Sequence, residues 1–218
     1  LGHEGSGKVL QVGEGVTKVK PGDWVILGWI KGHGLDGGAT SYLSQSVSKE
    51  LNAGAVTTFN EMSVVSENRL VPLPAGIPLD VAVLFGCAIP TGAGILTNDI
   101  QPEKGASLAI FGMGGIGLSA LMASKLYQCD KVIAVDINEE KLSLATSFGA
   151  THVINAKTND PVKKIMSITG CGVDYSIEAS SLTNVIEQAF NSVRQKGGLC
   201  VFASHPKHGN RIQIADDS

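Results

Sequence analysis

A short run of glycines constrains the fold of the second half of this sequence more than any other feature. It follows the apolar segment Ser107–Phe111, whose lack of polar alternation predicts a strand buried on both faces. The residues after the run predict a helix that extends to Tyr127. The order strand, glycine turn and helix is therefore predicted here. The run reads Gly112-Met113-Gly114-Gly115-Ile116-Gly117.

Each glycine of this run has a predicted role in binding phosphate. Gly112 permits a tight turn, Gly114 lets the backbone approach a pyrophosphate, and Gly117 lets the helix pack close to the sheet. The helix N-terminus, with Gly115 and Ile116, would present N–H groups and the positive end of the helix dipole. Because a predicted strand precedes the run and a predicted helix follows it, the motif predicts a dinucleotide site.

An acidic residue, Asp136, ends the next predicted strand, Lys131–Asp136. A carboxylate at this position can accept hydrogen bonds from both ribose hydroxyls and repels a 2′-phosphate, so it predicts NAD rather than NADP. The alternative is an ordinary aspartate at a strand end. Lys141, in the following predicted helix, could reach the same ribose or could simply face solvent.

Strands and helices alternate strictly from Ser107 onwards. Further strands are predicted at His152–Asn155 and at residues 173–178 and 199–203, with helices that start near Val162 and Thr183. This spacing predicts an α/β, Rossmann-type, doubly wound parallel sheet in residues 91–218. The last strand of such a sheet would lie beyond Ser218.

Residues 1–90 predict a β-rich domain with many turns, of the small-barrel or sandwich type. The apolar pattern from residue 79 to residue 96 predicts two short helices that are broken near Pro90. Residues 28–54 are rich in Gly, Ser and Thr and predict a loop. Short strands are predicted at residues 9–12, Trp24–Leu27, residues 62–65 and Leu70–Pro72.

Composition and charge argue against some classes of partner and favour one cellular compartment. A net charge of -3 and a pI near 5.9 argue against nucleic acid or an anionic membrane surface as the main partner. No apolar run approaches the roughly 20 residues that span a bilayer. Widely spaced cysteines favour a reducing, cytoplasmic location over a disulfide framework. The cysteines are Cys87, Cys129, Cys171 and Cys200.

Several segments, taken in order with the glycine run and Asp136, resemble the zinc-dependent medium-chain alcohol dehydrogenases. The resemblance covers nearly the whole chain, except in residues 28–54. Because the chain opens on a leucine and would lack a last strand, a fragment without both ends is expected. The segments are Gly2-His3-Glu4-Gly5, Val12-Gly13-Glu14-Gly15-Val16, Pro21-Gly22-Asp23-Trp24-Val25, Phe85-Gly86-Cys87-Ala88-Ile89-Pro90-Thr91-Gly92 and Val135-Asp136-Ile137-Asn138-Glu139-Glu140-Lys141.

The resemblance implies a partial GroES-like catalytic domain over residues 1–90 and a catalytic zinc. His3 and Cys87 match two zinc ligands, and Glu4 matches the glutamate beside them; the other ligand cysteine would precede Leu1. Thiolate and imidazole donors suit zinc, and three protein ligands leave a fourth position open. Thr91 matches a position near the nicotinamide, and Lys141 matches one at the adenosine ribose.

A second, structural zinc is not expected. Such a site needs a closed set of four ligands, usually cysteines in this family. Residues 28–54 contain no cysteine, and His33 and Asp36 in this segment are interpreted as parts of a solvated loop.

The resemblance implies hydride transfer between an alcohol, aldehyde or ketone and NAD, assisted by zinc. Two alternatives stay open: a zinc-free reductase of the quinone or enoyl reductase kind, and a nucleotide-binding protein without catalysis. NADPH preference would favour the first alternative. A homodimer or homotetramer is the expected assembly, with a small molecule as substrate.

Overall fold

The computed structural model describes residues 2–214, which cluster into two compact units divided between Ala88 and Ile89. The first unit contains a three-stranded antiparallel sheet and a separate two-stranded hairpin. The sheet has the order β1-β2-β5, and β3 pairs with β4. The strands are β1 Gly5–Lys8, β2 Trp24–Leu27, β3 Thr40–Ser44, β4 Lys49–Gly54 and β5 Leu70–Pro72.

The core of the first unit lies beside its three-stranded sheet. Val19, Val25 and Leu70 are buried there, and partly buried valines and Leu27 pack around them. Leu27 pairs with Gly5 on one side and with Leu70 on the other. The central strand β2 therefore joins the segment that carries His3 to the segment that leads into β5.

Three predictions for the first unit are wrong. The segment 28–54 is not all loop, because Tyr42 pairs with Leu51 in the β3–β4 hairpin. Glycine, serine and threonine content concealed this pairing, which depends on cross-strand contacts that composition does not describe.

The strands predicted at residues 9–12 and 62–65 are also wrong. Strand β1 ends at Lys8, and the side chains of Leu10 and Val12 are exposed. The N–H of Val64 donates to the Tyr42 hydroxyl, 2.8 Å away. Both segments are apolar, but a strand also needs a partner strand to pair with, and apolar content alone does not predict one.

The second unit contains a five-stranded parallel sheet in the order β10-β9-β6-β7-β8. This order is that of a doubly wound sheet, in which the first strand of the unit is central, and the predicted Rossmann-type α/β fold is confirmed. The strands are β6 Ser107–Phe111, β7 Lys131–Asp136, β8 His152–Asn155, β9 Tyr175–Glu178 and β10 Leu199–Phe202.

Helices cover both faces of this sheet. Leu108 and Ile110 of β6 belong to the same buried cluster as residues of α3 and α4, whereas Ala109 and Phe111 pack with residues of α5 and α6. Successive residues of a strand point to opposite faces, so an uninterrupted apolar strand suits this position. The helices are α3 Gly115–Ser124, α4 Glu139–Ser147, α5 Pro161–Thr169 and α6 Thr183–Asn191.

The break predicted near Pro90 lies at Cys87 instead. Helix α1, Leu79–Ala82, continues as a 3-10 turn to Gly86, and Cys87 leaves helical geometry with φ -155° and ψ -61°. Helix α2, Ala88–Gly94, then continues as a π-helix over Ile95–Ile100. Pro90 lies in the first turn of α2, where a residue without an N–H is tolerated.

No single helix in residues 2–214 is long and apolar enough to cross a membrane. The bent helix pair Leu79–Gly86 and Ala88–Ile100 meets the criteria of length and composition only when its two members are counted together.

Candidate active site

The predicted metal residues of the first unit come from segments far apart in the chain. Oε1 of Glu4 accepts a hydrogen bond of 2.8 Å from the backbone N–H of Ala88, the residue after Cys87. This carboxylate therefore bonds the first turn of α2, where the N–H groups have no partner within the helix and the helix dipole favours negative charge. The contact brings the His3-Glu4 segment beside Cys87.

Gly86 allows this close approach. A Cβ at Gly86 would lie 2.4 Å from the carbonyl oxygen of Leu27 and 3.1 Å from Cα of Glu4. Any larger residue would push the Cys87 segment away from both. The glycine before the cysteine is thus required by packing at the end of β2.

The imidazole of His3 contacts an aromatic side chain that the sequence analysis did not single out. The rings of His3 and Trp29 meet edge to face, with centroids 5.9 Å apart. The Arg69 guanidinium lies over the Trp29 ring at 5.6 Å and also donates to the Trp29 carbonyl oxygen. The pair of Trp29 and Arg69 thus supports one face of the predicted ligand histidine through aromatic and cation–π contacts.

The residues of this cluster fit a zinc ion by the chemistry of their donors. His3 supplies an imidazole, Cys87 a thiol that binds metal as thiolate, and Glu4 a nearby carboxylate. Within residues 2–214, no three His, Cys, Asp or Glu side chains form a complete metal-binding group.

The glycine run in the second unit has the geometry that a phosphate loop needs. Gly112 has φ +93°, a conformation that favours glycine. A Cβ at Gly117 would lie only 1.8 Å from the Gly112 carbonyl oxygen, so this position must remain glycine if the helix is to pack against the turn. A Cβ at Gly114, in contrast, would meet no atom within 4 Å.

The N-terminus of α3 faces this turn without a side-chain cap. Gly114 occupies the cap position, and its carbonyl accepts the Leu118 N–H at 2.9 Å. The preceding N–H groups, those of Gly115, Ile116 and Gly117, are the donors that a helix leaves without internal partners. Such groups bind anions at helix N-termini.

The Asp136 carboxylate lies at the end of β7 and holds the glycine run from the side. Its Oδ2 accepts the Met113 N–H at 2.7 Å, while Oδ1 accepts the N–H groups of Ile137 and Asn138. Asp136 is half-buried, and a carboxylate offers about four acceptor positions. Capacity for a further donor therefore remains.

The structure places the last two predicted cofactor residues on helices. Lys141 is exposed in the first turn of α4, which Asn138 caps by accepting the N–H groups of Glu140 and Lys141. Thr91 is half-buried in α2. The roles of both residues at the cofactor remain predictions.

A buried carboxylate, Glu67, anchors the segment predicted to be a solvated loop. Its oxygens accept the N–H groups of Leu35, Lys18 and Thr17 at 2.6–2.7 Å. These three hydrogen bonds, that of Leu35 being the strongest influence, lower the pKa of the Glu67 carboxyl. Asp36 in this segment pairs with Lys31 at 2.6 Å, which lowers the pKa of Asp36 to about 2.

Comparison with known proteins identifies the class. Residues 1–75 match a family model described as the alcohol dehydrogenase GroES-like domain, and residues 115–216 match a model described as zinc-binding dehydrogenase. A probable alcohol dehydrogenase from Pseudomonas sp. is 35% identical over 95% of this chain and 73% of its own length. These matches cover both predicted halves of the chain.

Solved structures agree with the family models. The benzyl alcohol dehydrogenase of Acinetobacter calcoaceticus is 31% identical, with a TM-score of 0.83 over 100% of this chain and 65% of its own. An alcohol dehydrogenase zinc-binding domain protein from Burkholderia ambifaria is 32% identical, with a TM-score of 0.81 over 99% and 64%. The chain spans just under two thirds of the length of these two structures.

The chain belongs to the zinc-type alcohol dehydrogenase family, a family of oxidoreductases. The sequence-based predictions of family, enzyme class and fold are therefore confirmed, and the matches support zinc and NAD as cofactors.

Proposed function

We propose that this protein is a zinc- and NAD-dependent dehydrogenase that interconverts a small alcohol and its aldehyde or ketone. The observation that carries the proposal is the hydrogen bond from Ala88 to Glu4, which joins the His3 segment to the Cys87 segment. Neither segment alone resembles a metal site, because lone histidines and cysteines are common. Their meeting in the first unit supports a shared role.

His3 and Cys87 would hold the metal, and Glu4 would keep their segments together. When bound, zinc polarises an alcohol or carbonyl oxygen and NAD carries the hydride. The Trp29 ring restricts the rotation of the His3 imidazole, and Arg69 restricts Trp29 in turn. A ligand histidine held in this way loses less conformational freedom when it binds metal.

The cofactor half of the proposal rests on the second unit. The N–H groups of Gly115, Ile116 and Gly117 would bind the pyrophosphate, where the absence of a side chain at Gly114 leaves room for it. Asp136 would accept the adenosine ribose hydroxyls and disfavour a 2′-phosphate. Thr91 would lie near the nicotinamide and Lys141 near the ribose.

The finer proposals concern assembly, domain limits and compartment. We propose a homodimer or homotetramer, a catalytic domain over residues 1–90 and an NAD-binding domain over residues 91–218. A cytoplasmic location is supported by the absence of a disulfide among the cysteines of the described chain. An alcohol or carbonyl compound is the substrate class, in keeping with the benzyl alcohol dehydrogenase named above.

The test combines metal analysis with an activity assay. The full-length protein is purified together with its His3→Gln and Cys87→Ser variants. All three are compared for zinc content by mass spectrometry and for alcohol-dependent NADH formation. We expect bound zinc and activity in the parent and the loss of both in each variant. Cys171→Ser is the control, because this cysteine is exposed in the other unit and has no proposed role.

Activity that persists without zinc would contradict the proposal and favour a zinc-free reductase. A preference for NADPH would point in the same direction. Tight NADH binding with neither zinc nor activity would favour a nucleotide-binding protein that has no catalysis.

A further inference from the structure

A buried carboxylate holds the loops at the carboxyl end of the second unit's sheet. Glu178, the last residue of β9, has no exposed surface. Its Oε1 accepts the Ser180 hydroxyl at 2.6 Å and the backbone N–H groups of Ser180 and Ser181, and its Oε2 accepts the Ser204 hydroxyl. Burial of a carboxylate is costly unless hydrogen bonds compensate it, and here four do.

The same network joins two loops that follow neighbouring strands. Ser180 and Ser181 follow β9, whereas Ser204 follows β10. The Ser204 hydroxyl oxygen also accepts the Ser181 N–H at 2.9 Å. The two loops are thus linked both through Glu178 and directly.

Ser181 has a backbone conformation that its side chain does not favour. Its φ is +67°, in the left-handed region that glycine and asparagine enter more readily than serine. Its N–H is held in place by both Glu178 and Ser204. The shape of this loop therefore depends on the network rather than on local preference.

The network lies where a doubly wound sheet binds its ligand. Such sheets bind ligands outside the carboxyl ends of the strands where the strand order reverses, which here is between β6 and β9. The Ala179 N–H donates to Phe111 at 2.9 Å, and a Cβ at Gly112 would lie 3.0 Å from the Ala179 carbonyl oxygen. The loop after β9 therefore borders the glycine run.

The topology also indicates which half of a dinucleotide this loop meets. Asp136 ends β7, on one side of β6, and is the proposed partner of the adenosine ribose. The pyrophosphate crosses at the N-terminus of α3, next to the end of β6. The nicotinamide half then extends in the opposite direction, over the ends of β9 and β10.

We propose that Glu178 is a positioning residue that shapes the loops after β9 and β10 to receive the nicotinamide half of NAD. It acts through Ser180, Ser181 and Ser204 and does not itself contact the cofactor. The inference rests on the proposed NAD site and adds to it a residue that the motif does not contain.

The test separates the two halves of the cofactor. Glu178→Gln removes the charge while keeping the size of the side chain, and Ser204→Ala removes a single hydroxyl. NADH affinity is measured by fluorescence titration and AMP affinity by calorimetry. Because charge-assisted bonds are lost, NADH should bind roughly tenfold more weakly to both variants, with AMP affinity unchanged.

Ser176→Ala is the matched control, because Ser176 lies on the same strand, is equally buried and donates one hydrogen bond to the Ala189 carbonyl. Ser176→Ala should lower the melting temperature, but it should not change NADH affinity relative to AMP affinity. Thermal melting of all variants checks that they are folded. If Glu178→Gln does not fold, Ser204→Ala still tests the inference, because it retains the Glu178 carboxylate.

If the variants lose NADH and AMP affinity equally, or if folded variants bind NADH as tightly as the parent does, the inference is overturned. The proposed NAD site is not contradicted by either result. A parent protein that binds neither NADH nor AMP would overturn the proposed function itself. A loss confined to NADH, absent in Ser176→Ala, supports the positioning role.

Discussion

At the scale of single residues, the two carboxylate oxygens of Asp136 serve both a structural role and a proposed binding role. Asp136 accepts three backbone N–H groups, one of them from Met113 in the glycine run, and it is the proposed ribose acceptor. A substitution here would therefore alter both the shape of the loop and the choice of cofactor. Asparagine separates these effects best, because it keeps one acceptor oxygen and removes the charge.

We expect Asp136→Asn to lower the preference for NADH over NADPH by roughly tenfold, since repulsion of the 2′-phosphate is lost. Parallel fluorescence titrations with the two cofactors measure the ratio. Asp130→Asn, at an exposed aspartate of the same unit, is the control. An unchanged ratio in Asp136→Asn would show that another residue selects the cofactor.

Glu67 leads to a prediction about pH. Its pKa is lowered in the folded protein, below the ordinary value of 4.5, by hydrogen bonds from Leu35, Lys18 and Thr17. The charged form is therefore favoured by folding. Its contribution to stability is complete above the unfolded pKa and is lost as the pH falls below about 4.5 through the lowered pKa.

Glu67→Gln should accordingly melt at a lower temperature than the parent at neutral pH, with a difference that shrinks as the solution is acidified. Thermal unfolding followed by circular dichroism between neutral and strongly acidic pH measures this difference. Glu14→Gln, at an exposed glutamate, is the control. Its difference in melting temperature from the parent should not shrink on acidification. A constant difference for Glu67→Gln at every pH would mean that packing, not ionisation, accounts for the effect.

At the scale of elements, the turn from β6 into α3 gives its glycines different constraints. Gly117 is limited by the protein itself, since its Cβ would overlap the Gly112 carbonyl oxygen. Gly114 is limited only by what approaches from outside, since its Cβ would lie in open space. One element thus contains a glycine that the fold requires and a glycine for which a binding role is proposed.

Gly117→Ala should destabilise the protein by about 1–3 kcal/mol, because the added methyl group must displace the turn. Gly114→Ala should melt close to the parent but lose most of its NADH affinity, because the methyl group occupies the pyrophosphate approach. Melting curves and NADH titrations of both variants test this contrast. Strong NADH binding by Gly114→Ala would place the pyrophosphate elsewhere.

At the scale of the whole molecule, the two proposed cofactors depend on different units. His3, Glu4 and Cys87 belong to the first unit, whereas the glycine run and Asp136 belong to the second. A treatment that removes the metal should therefore act on chemistry and leave dinucleotide binding in place.

We expect chelation to abolish alcohol-dependent NADH formation without changing NADH affinity, and added zinc to restore activity. Activity and fluorescence titration are measured on the same treated sample. Loss of NADH binding on chelation would show that the metal stabilises the nucleotide site as well.

The second unit could be predicted largely from the sequence, because its determinants are local. Uninterrupted apolar strands, the glycine run and the Asn138 cap each act within a few residues, and the predicted strands from β6 to β10 are present with small shifts at their ends. The first unit was predicted less well. Its hairpin pairs Tyr42 with Leu51, and no turn signal or alternation marks that pairing.

The sequence by itself determined the family, the parallel sheet and the glycine turn between β6 and α3, because short-range spacing is sufficient for each. Only the tertiary structure decided which distant groups meet: Glu4 with Ala88, Trp29 with His3 and Arg69, and Glu178 with Ser204. These contacts join different strands and helices. They depend on packing and on the need to satisfy buried polar groups, which no local pattern records.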